Sequence, residues 1–423
     1  MSNRQGFVRT EVGEIPSDWQ VVRIGQVCEV GTGGTPNTAV KEYYENGTVK
    51  WMKSADVKGL YVRDVPNRIT EKGLANSNAL LHPAGTVMMA MSGRGKTRGM
   101  TAVLATPCTC SQSVAAMIPD NEKLLSEFLH YDLQFRYEEI RNITGSYDRS
   151  GLNLRLIRDI KIPIPRLQEQ RKITDILLQV DFSIQKTDEI IAKTQQLKKG
   201  LIQQLLTKGI GHTKFKQTEI GEIPEEWEVS TIGKECKVGT GGTPSRRKPD
   251  YYNGNIPWVK TTELNYNVIN STEERITERA VAESNAEVYP RGTLLIAMYG
   301  LEAPGTRGKC AILGIDAATN QACAALRPMD RVHIPFLFYY YQLLRKKLMS
   351  LAGGTKRQNL SLGIIKSIRI PVPSIDEQTK IADVISTIDD KIADEKWKNL
   401  QLQQLKKGLM QVLLTGKVRV KVD

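Results

Sequence analysis

The residues best placed to do chemistry in this chain are few. They are a glycine-rich segment, Val30-Gly31-Thr32-Gly33-Gly34-Thr35-Pro36, a Gly95-Lys96-Thr97 tripeptide, and a Cys108-x-Cys110 pair. A dinucleotide-binding loop needs G-x-G-x-x-G opening a helix, so that backbone N–H groups meet the pyrophosphate. Here the last glycine position is Pro36, which predicts a structural turn. Gly95-Lys96-Thr97 ends like a P-loop, but the required earlier glycine is Ala90, so an ATPase is not expected. Methyl transfer to adenine in DNA calls for an Asn- or Asp-Pro-Pro-aromatic pocket, and no Pro-Pro dipeptide occurs. Zinc wants paired ligands plus a further pair. Cys310 and Cys323 are out of register with Cys108 and Cys110, and the 4 histidines are scattered. No metal and no cofactor are expected in this chain. Cys28 and Cys236 read as small buried core residues.

Donors for recognition are more plentiful. Arg94, Lys96 and Arg98 occupy a glycine-rich loop after an apolar strand; the corresponding loop later in the chain carries Arg307 and Lys309. A second loop holds Tyr147 and Arg149, and its counterpart holds Lys356, Arg357 and Gln358. Lys53 and Lys260 follow Trp51 and Trp258 at matched positions. Arg can bridge guanine O6 and N7, and Gln can bridge adenine N6 and N7. Lysine mostly serves phosphates. A net charge of +13 and pI near 9.3 favour a polyanionic partner. Double-stranded DNA is the expected one. No apolar run approaches the roughly 20 residues of a spanning helix, and residues 1–6 lack the apolar core of a signal peptide. A cytoplasmic protein without membrane contact is expected.

The elements that position these loops occur twice. Gly13-Glu14-Ile15-Pro16-Ser17-Asp18-Trp19 returns as Gly221-Glu222-Ile223-Pro224-Glu225-Glu226-Trp227, and Val30–Pro36 returns unchanged as Val238–Pro244. Each copy has a mixed globular part, with β-branched runs such as Gly85-Thr86-Val87-Met88-Met89 and helical segments such as Phe128-Leu129-His130-Tyr131. Each globular part ends at a Pro-rich strand, Ile162–Pro165 or Ile370–Pro373, and a long helix follows. In the second copy Ser374-Ile375-Asp376-Glu377 predicts a capping box. The apolar spacing of three and four predicts a coiled-coil seam. Its residues are Ile173, Leu177, Val180, Ile184, Ile191, Leu201 and Leu205 in the first helix, and Ile381, Ile385, Ile388, Ile392, Leu402, Leu409 and Leu413 in the second. Thr187, Thr194 and Lys198 interrupt it and would pin register. The expected fold is α+β: two globular target-recognition domains in tandem, separated by two long antiparallel coiled-coil helices, a pseudo-twofold dumbbell. The expected division is 1–165, the arm and first recognition domain; 166–207, the first helix; 208–220, a linker; 221–373, the second recognition domain; 374–415, the second helix; and 416–423, a tail.

Three motifs recur in order: Gly-Glu-Ile-Pro-x-x-Trp, Ile-Pro-(Ile/Val)-Pro-x-(Leu/Ile)-x-Glu-Gln, and Leu-Lys-Lys-Gly-Leu-(Ile/Met)-Gln-x-Leu-Leu-Thr. Together they resemble the specificity subunit of bacterial type I restriction–modification systems, over the whole length. The resemblance implies a non-catalytic subunit whose two recognition domains each read half of a bipartite DNA site. It implies helices that set the spacer and dock two methylation subunits carrying S-adenosylmethionine. ATP- and magnesium-dependent restriction subunits would join through the larger complex. A free-standing two-headed DNA-binding regulator would also account for the charge and the duplication. A coiled-coil scaffold would not need divergent basic loops, and an enzyme in its own right would need chemistry the motifs do not supply.

Overall fold

The run Val87–Ala90 forms a strand whose four residues are all buried, entered through Gly85 at φ +86°. A strand apolar on both faces belongs at the centre of a sheet covered on both sides. In the computed structural model it lies in the middle of a five-stranded sheet, in the order Cys28–Thr32, Val114–Pro119, Val87–Ala90, Thr101–Leu104, Tyr61–Val62. A second, four-stranded sheet has the order Arg68–Ile69, Val49–Met52, Cys108–Cys110, Leu81–His82. The helix Ser126–Phe135 buries Phe128, Leu129 and Tyr131 in the same core as Val87 and Met89. The structure describes residues 6–93, 95–143, 151–299, 307–351 and 360–421, with side chains omitted at 346–351.

The chain divides into two units, residues 1–188 with 397–423, and residues 189–396. The second repeats the sheets of the first. Its five-stranded sheet runs Cys236–Thr240, Cys323–Pro328, Leu294–Ala297, Cys310–Leu313, Asn267–Ile269. The helix Leu167–Lys208 and the helix Ile375–Leu413 each contribute one part to each unit. Within the first unit, Asp181 pairs with Lys406 at 2.7 Å and Asp188 accepts from Asn399 at 2.7 Å. Numbering rises along one helix as it falls along the other, so the two are antiparallel there. Within the second unit, Lys198 pairs with Asp389 at 2.5 Å, and Glu377 meets the residues just beyond Lys208, in the same sense.

The seam positions divide evenly between buried and half-buried. Ile173, Leu177, Val180, Ile381, Ile385, Ile392 and Leu413 are buried. Ile184, Ile191, Leu201, Leu205, Ile388, Leu402 and Leu409 are only half-buried. Leu206, Met410 and Leu414, outside the expected seam, are buried against the globular parts.

The recurring motifs are joints between globular part and helix. Gln170, fully buried, accepts the Leu125 amide at 2.9 Å and donates to the carbonyls of Lys123 and Pro165. Gln378 does the same with His333, Arg331 and Pro373. The preceding glutamate corrects one expectation. Ser374 does accept the Glu377 amide, at 3.3 Å, but the Glu377 carboxylate does not reach back to complete a capping box. It accepts the Trp227 indole N–H at 2.9 Å, and Glu169 accepts that of Trp19 at 3.1 Å. A buried carboxylate with an indole donor in reach is better satisfied there than at a helix end. The first lysine of Leu-Lys-Lys-Gly-Leu forms another joint. Tyr131 donates to Asp181, and Lys406 pairs with that carboxylate and lies over the tyrosine ring. Tyr339, Asp389 and Lys198 repeat the triad in the second unit.

Candidate nucleic-acid interface

The glycine-rich segment is a stapled turn. A Cβ on Gly33 would stand 1.8 Å from the Cys110 carbonyl oxygen, and one on Gly241 would stand 1.8 Å from that of Thr319. Only glycine permits this approach to a neighbouring strand end. Trp51 donates to the Gly34 carbonyl and Tyr44 to that of Pro36. Trp258 and Tyr252 donate to Gly242 and Pro244 in the same way. The turn presents a threonine whose hydroxyl donates to a glutamine side chain: Thr35 to Gln112, and Thr243 to Gln321.

Two of the expected basic segments are brought to this place. Lys53 follows the strand Val49–Met52, is exposed, and lies over the Trp51 ring at 4.9 Å. The next residue, Ser54, bonds the Ser113 hydroxyl at 2.9 Å and lies 3.5 Å from the hydroxyl of Ser92, where the glycine-rich basic loop begins. Further along that loop Lys96 is exposed, with its carbonyl accepting from Tyr137 at 2.6 Å, and Arg98 is half-buried. The exit of the second loop is anchored at the same strand end, since the Leu152 amide donates to the Met91 carbonyl at 2.8 Å. In the second unit the Leu360 amide donates to Met298 at 2.9 Å. Thr243, Arg246, Lys260, Thr261, Tyr299, Gln321 and their neighbours there line a cavity of about 210 Å³.

The second unit ties up two of its cations. Lys260 pairs with Glu273 at 2.8 Å and Glu274 at 3.0 Å. Hydrogen bonding to Glu273, more than to Glu274, raises the lysine above its ordinary range. Arg246 grips Glu274 through both terminal nitrogens, at 2.6 and 3.2 Å, and stacks on Tyr252 and Trp258. Lys309 donates to the Asn265 side chain at 2.9 Å. It sits at the start of its strand, where the first unit has Met100. Arg307 and Arg98 are the true counterparts, each preceding a glycine whose amide closes onto the end of the central strand. Arg94, Tyr147, Arg149, Lys356, Arg357 and Gln358 lie outside the described residues. Arg246, Gln112 and Gln321 were not expected at this surface. A glutamine between two short strands in both copies was the signal that would have found the last two.

Among the described residues of this surface, no cluster of groups resembles a reaction centre. All six cysteines are free and buried, and burial pushes Cys28 and Cys110 to about 12 and Cys108 to about 11. At neutral pH they are thiols rather than reactive thiolates. Among the described residues no group of three or more His, Cys, Asp and Glu is placed to hold a metal ion. Among them, too, no helix is long and apolar enough to cross a membrane.

Residues 16–196 and 224–404 each match the family model described as the type I restriction modification DNA specificity domain. The chain belongs to the family of type I restriction–modification specificity subunits. It is 27% identical to the putative type I restriction enzyme MjaX specificity subunit of Methanocaldococcus jannaschii, across 99% of this chain and 97% of that one. The MjaVIII specificity subunit of the same organism is 26% identical, over 96% and 94%. The fold matches the crystal structure of the type I restriction–modification S subunit from M. genitalium, with a TM-score of 0.60, 16% identity, and 93% of this chain and 96% of that one covered. The specificity subunit described here is thus a DNA-recognition chain with two specificity domains, and the catalysis of such systems lies in other subunits.

Proposed function

We propose that this specificity subunit directs a type I methyltransferase and its restriction partner to a bipartite, asymmetric site in double-stranded DNA. The recognition domains are residues 1–165 and 221–373, and each reads one half-site. The paired helices fix the unspecified spacer and dock two methylation subunits, which hold S-adenosylmethionine. Restriction subunits using ATP and magnesium join the larger assembly, and the complex works on DNA in the cytoplasm. The observation that carries this reading is the contrast within the repeat: both units share the framework and the Thr–Gln pair, while the side chains around that pair differ. Large apolar side chains left exposed on the helices support the docking role, among them Phe182, Leu197, Trp397, Leu400 and Leu405.

The test is to express the chain with its neighbouring methylation subunit and map modified adenines genome-wide. A two-part motif with a fixed gap is expected, and replacing residues 13–165 by those of a relative should change one half only. A stable complex that leaves DNA unmodified with cofactor supplied would favour the free-standing regulator instead.

A further inference from the structure

The tip of each unit contains a constant part and a variable part, and the two are interleaved. The constant part is the stapled turn with its Thr–Gln pair, Thr35 with Gln112 and Thr243 with Gln321. Both glutamines are exposed. The variable part is set by backbone equivalence. Ser92 and Tyr299 each follow a methionine whose amide bonds the carbonyl of Ser113 or Ala322. Ser54 and Thr261 each follow the lysine after the strand tryptophan. The paired positions are therefore Ser54 with Thr261, Ser92 with Tyr299, and Ser113 with Ala322.

We propose that these three positions decide which bases each unit accepts, while the Thr–Gln pair makes the same contact to DNA in both halves. The inference rests on the reading of each unit as a half-site reader. Two halves that read different sequences need different chemistry where bases are touched, and they can share it where the sugar–phosphate backbone is touched. The chemistry at the three positions does differ. In the first unit they form a hydroxyl network: Ser54 bonds the Ser113 hydroxyl and carbonyl, both at 2.9 Å, and Ser111 lies 2.7 Å from Ser113. Hydroxyl hydrogens rotate, so such a network meets base edges that donate or accept. In the second unit the network is gone. Tyr299 donates to the Gln321 carbonyl at 3.2 Å, and Thr261 and Ala322, both buried, line the cavity beside it. A tyrosine ring in place of Ser92, with alanine in place of the Ser113 hydroxyl, favours an apolar base edge such as the thymine methyl. The glutamine fits the constant role, because its oxygen is engaged by threonine and its amide N–H groups remain to donate to phosphate oxygens.

The test uses the complete methyltransferase complex with two variants, S54T/S92Y/S113A in the first unit and Y299S in the second. Modified motifs are mapped, and affinities are measured for duplexes that differ from the wild-type site at single base pairs of one half. The triple variant should alter one half of the motif, and Y299S the other. Each should change the affinity ratio between matched and altered duplexes by at least tenfold. Both variants assembling normally, with motif and ratios unchanged, would overturn the proposal. If the triple variant fails to assemble, Y299S decides by the same two readouts. A wild-type complex that shows no preference among duplexes would instead sink the half-site reading itself.

Discussion

Arg419, in the tail beyond the second long helix, closes the joint that holds the first globular part to its helix. Its Nε and one terminal nitrogen meet the Glu169 carboxylate at 2.7 and 2.9 Å, and its two terminal nitrogens meet Asp18 at 2.8 Å each. Glu169 is 2% exposed, so Arg419→Ala would leave a buried carboxylate with the Trp19 indole alone. Removing one partner of a fully buried pair costs about 3–5 kcal/mol. Arg419 is 43% exposed and Asp18 44%, so water reaches this site and the Asp18 part adds little. The expected loss is about 2–3 kcal/mol. For a unit of this size that is a fall of roughly 4–12 °C in Tm. Scanning calorimetry of the assembled complex reads it, together with hydrogen exchange at residues 19–23 and 167–175, which should rise. Arg419→Lys keeps the charge without the planar fork and should fall between the two. The Arg419 hydrogen bond holds Asp18 below the usual carboxylate range. Because the folded value lies below the unfolded one, this contribution is complete above the ordinary carboxylate pKa and is lost as pH falls through the depressed one. An R419A complex melting within about 1 °C of wild type at neutral pH would refute the reasoning.

Three further outcomes follow from the same geometry. Burial, aided by Lys406, pushes His130 down to about 3, so the folded protein keeps it neutral while the unfolded chain protonates near pH 6.5. Its contribution is present above about 6.5 and is lost as pH falls towards 3. Urea titrations should show wild type losing about 2 kcal/mol more than His130→Asn between pH 7 and pH 5, and equal losses would count against it. Gly33→Ala drives a methyl into the Cys110 carbonyl and should cost about 3 kcal/mol or displace the turn, lowering affinity for every DNA sequence alike. Matched four-residue insertions, between 188 and 189 and between 396 and 397, lengthen each helix by about 6 Å. They should add one or two base pairs to the spacer and leave both half-sites unchanged. Unchanged spacing in a methylation map would reject the ruler.

The repeat, the central strands and the long helices were legible because periodicity is local. Val87–Ala90 reads as a buried strand, and Ser126–Phe135 as a helix, from a handful of neighbours. The joints were not legible. Glu377 follows a serine by three residues, and the local rule assigns it to a capping box; only folding brings the Trp227 indole within reach. The partners of the surface cations were not legible for the same reason. Lys260 and Lys309 look alike to a charge count, yet Glu273, Glu274 and Asn265 arrive from other loops to engage them. Gln112 and Gln321 carry no charge and so gave the count nothing to find.

The Tyr–Asp–Lys triads have a genetic consequence. The lysine that completes the first unit, Lys406, is encoded in the second half of the reading frame, and Lys198, encoded in the first half, completes the second. Neither half of the gene spells a finished unit, yet both halves spell the same connecting parts. Cutting the chain between its repeats would therefore leave each fragment without the lysine that its own Tyr–Asp pair needs, although each fragment carries the lysine that the other lacks.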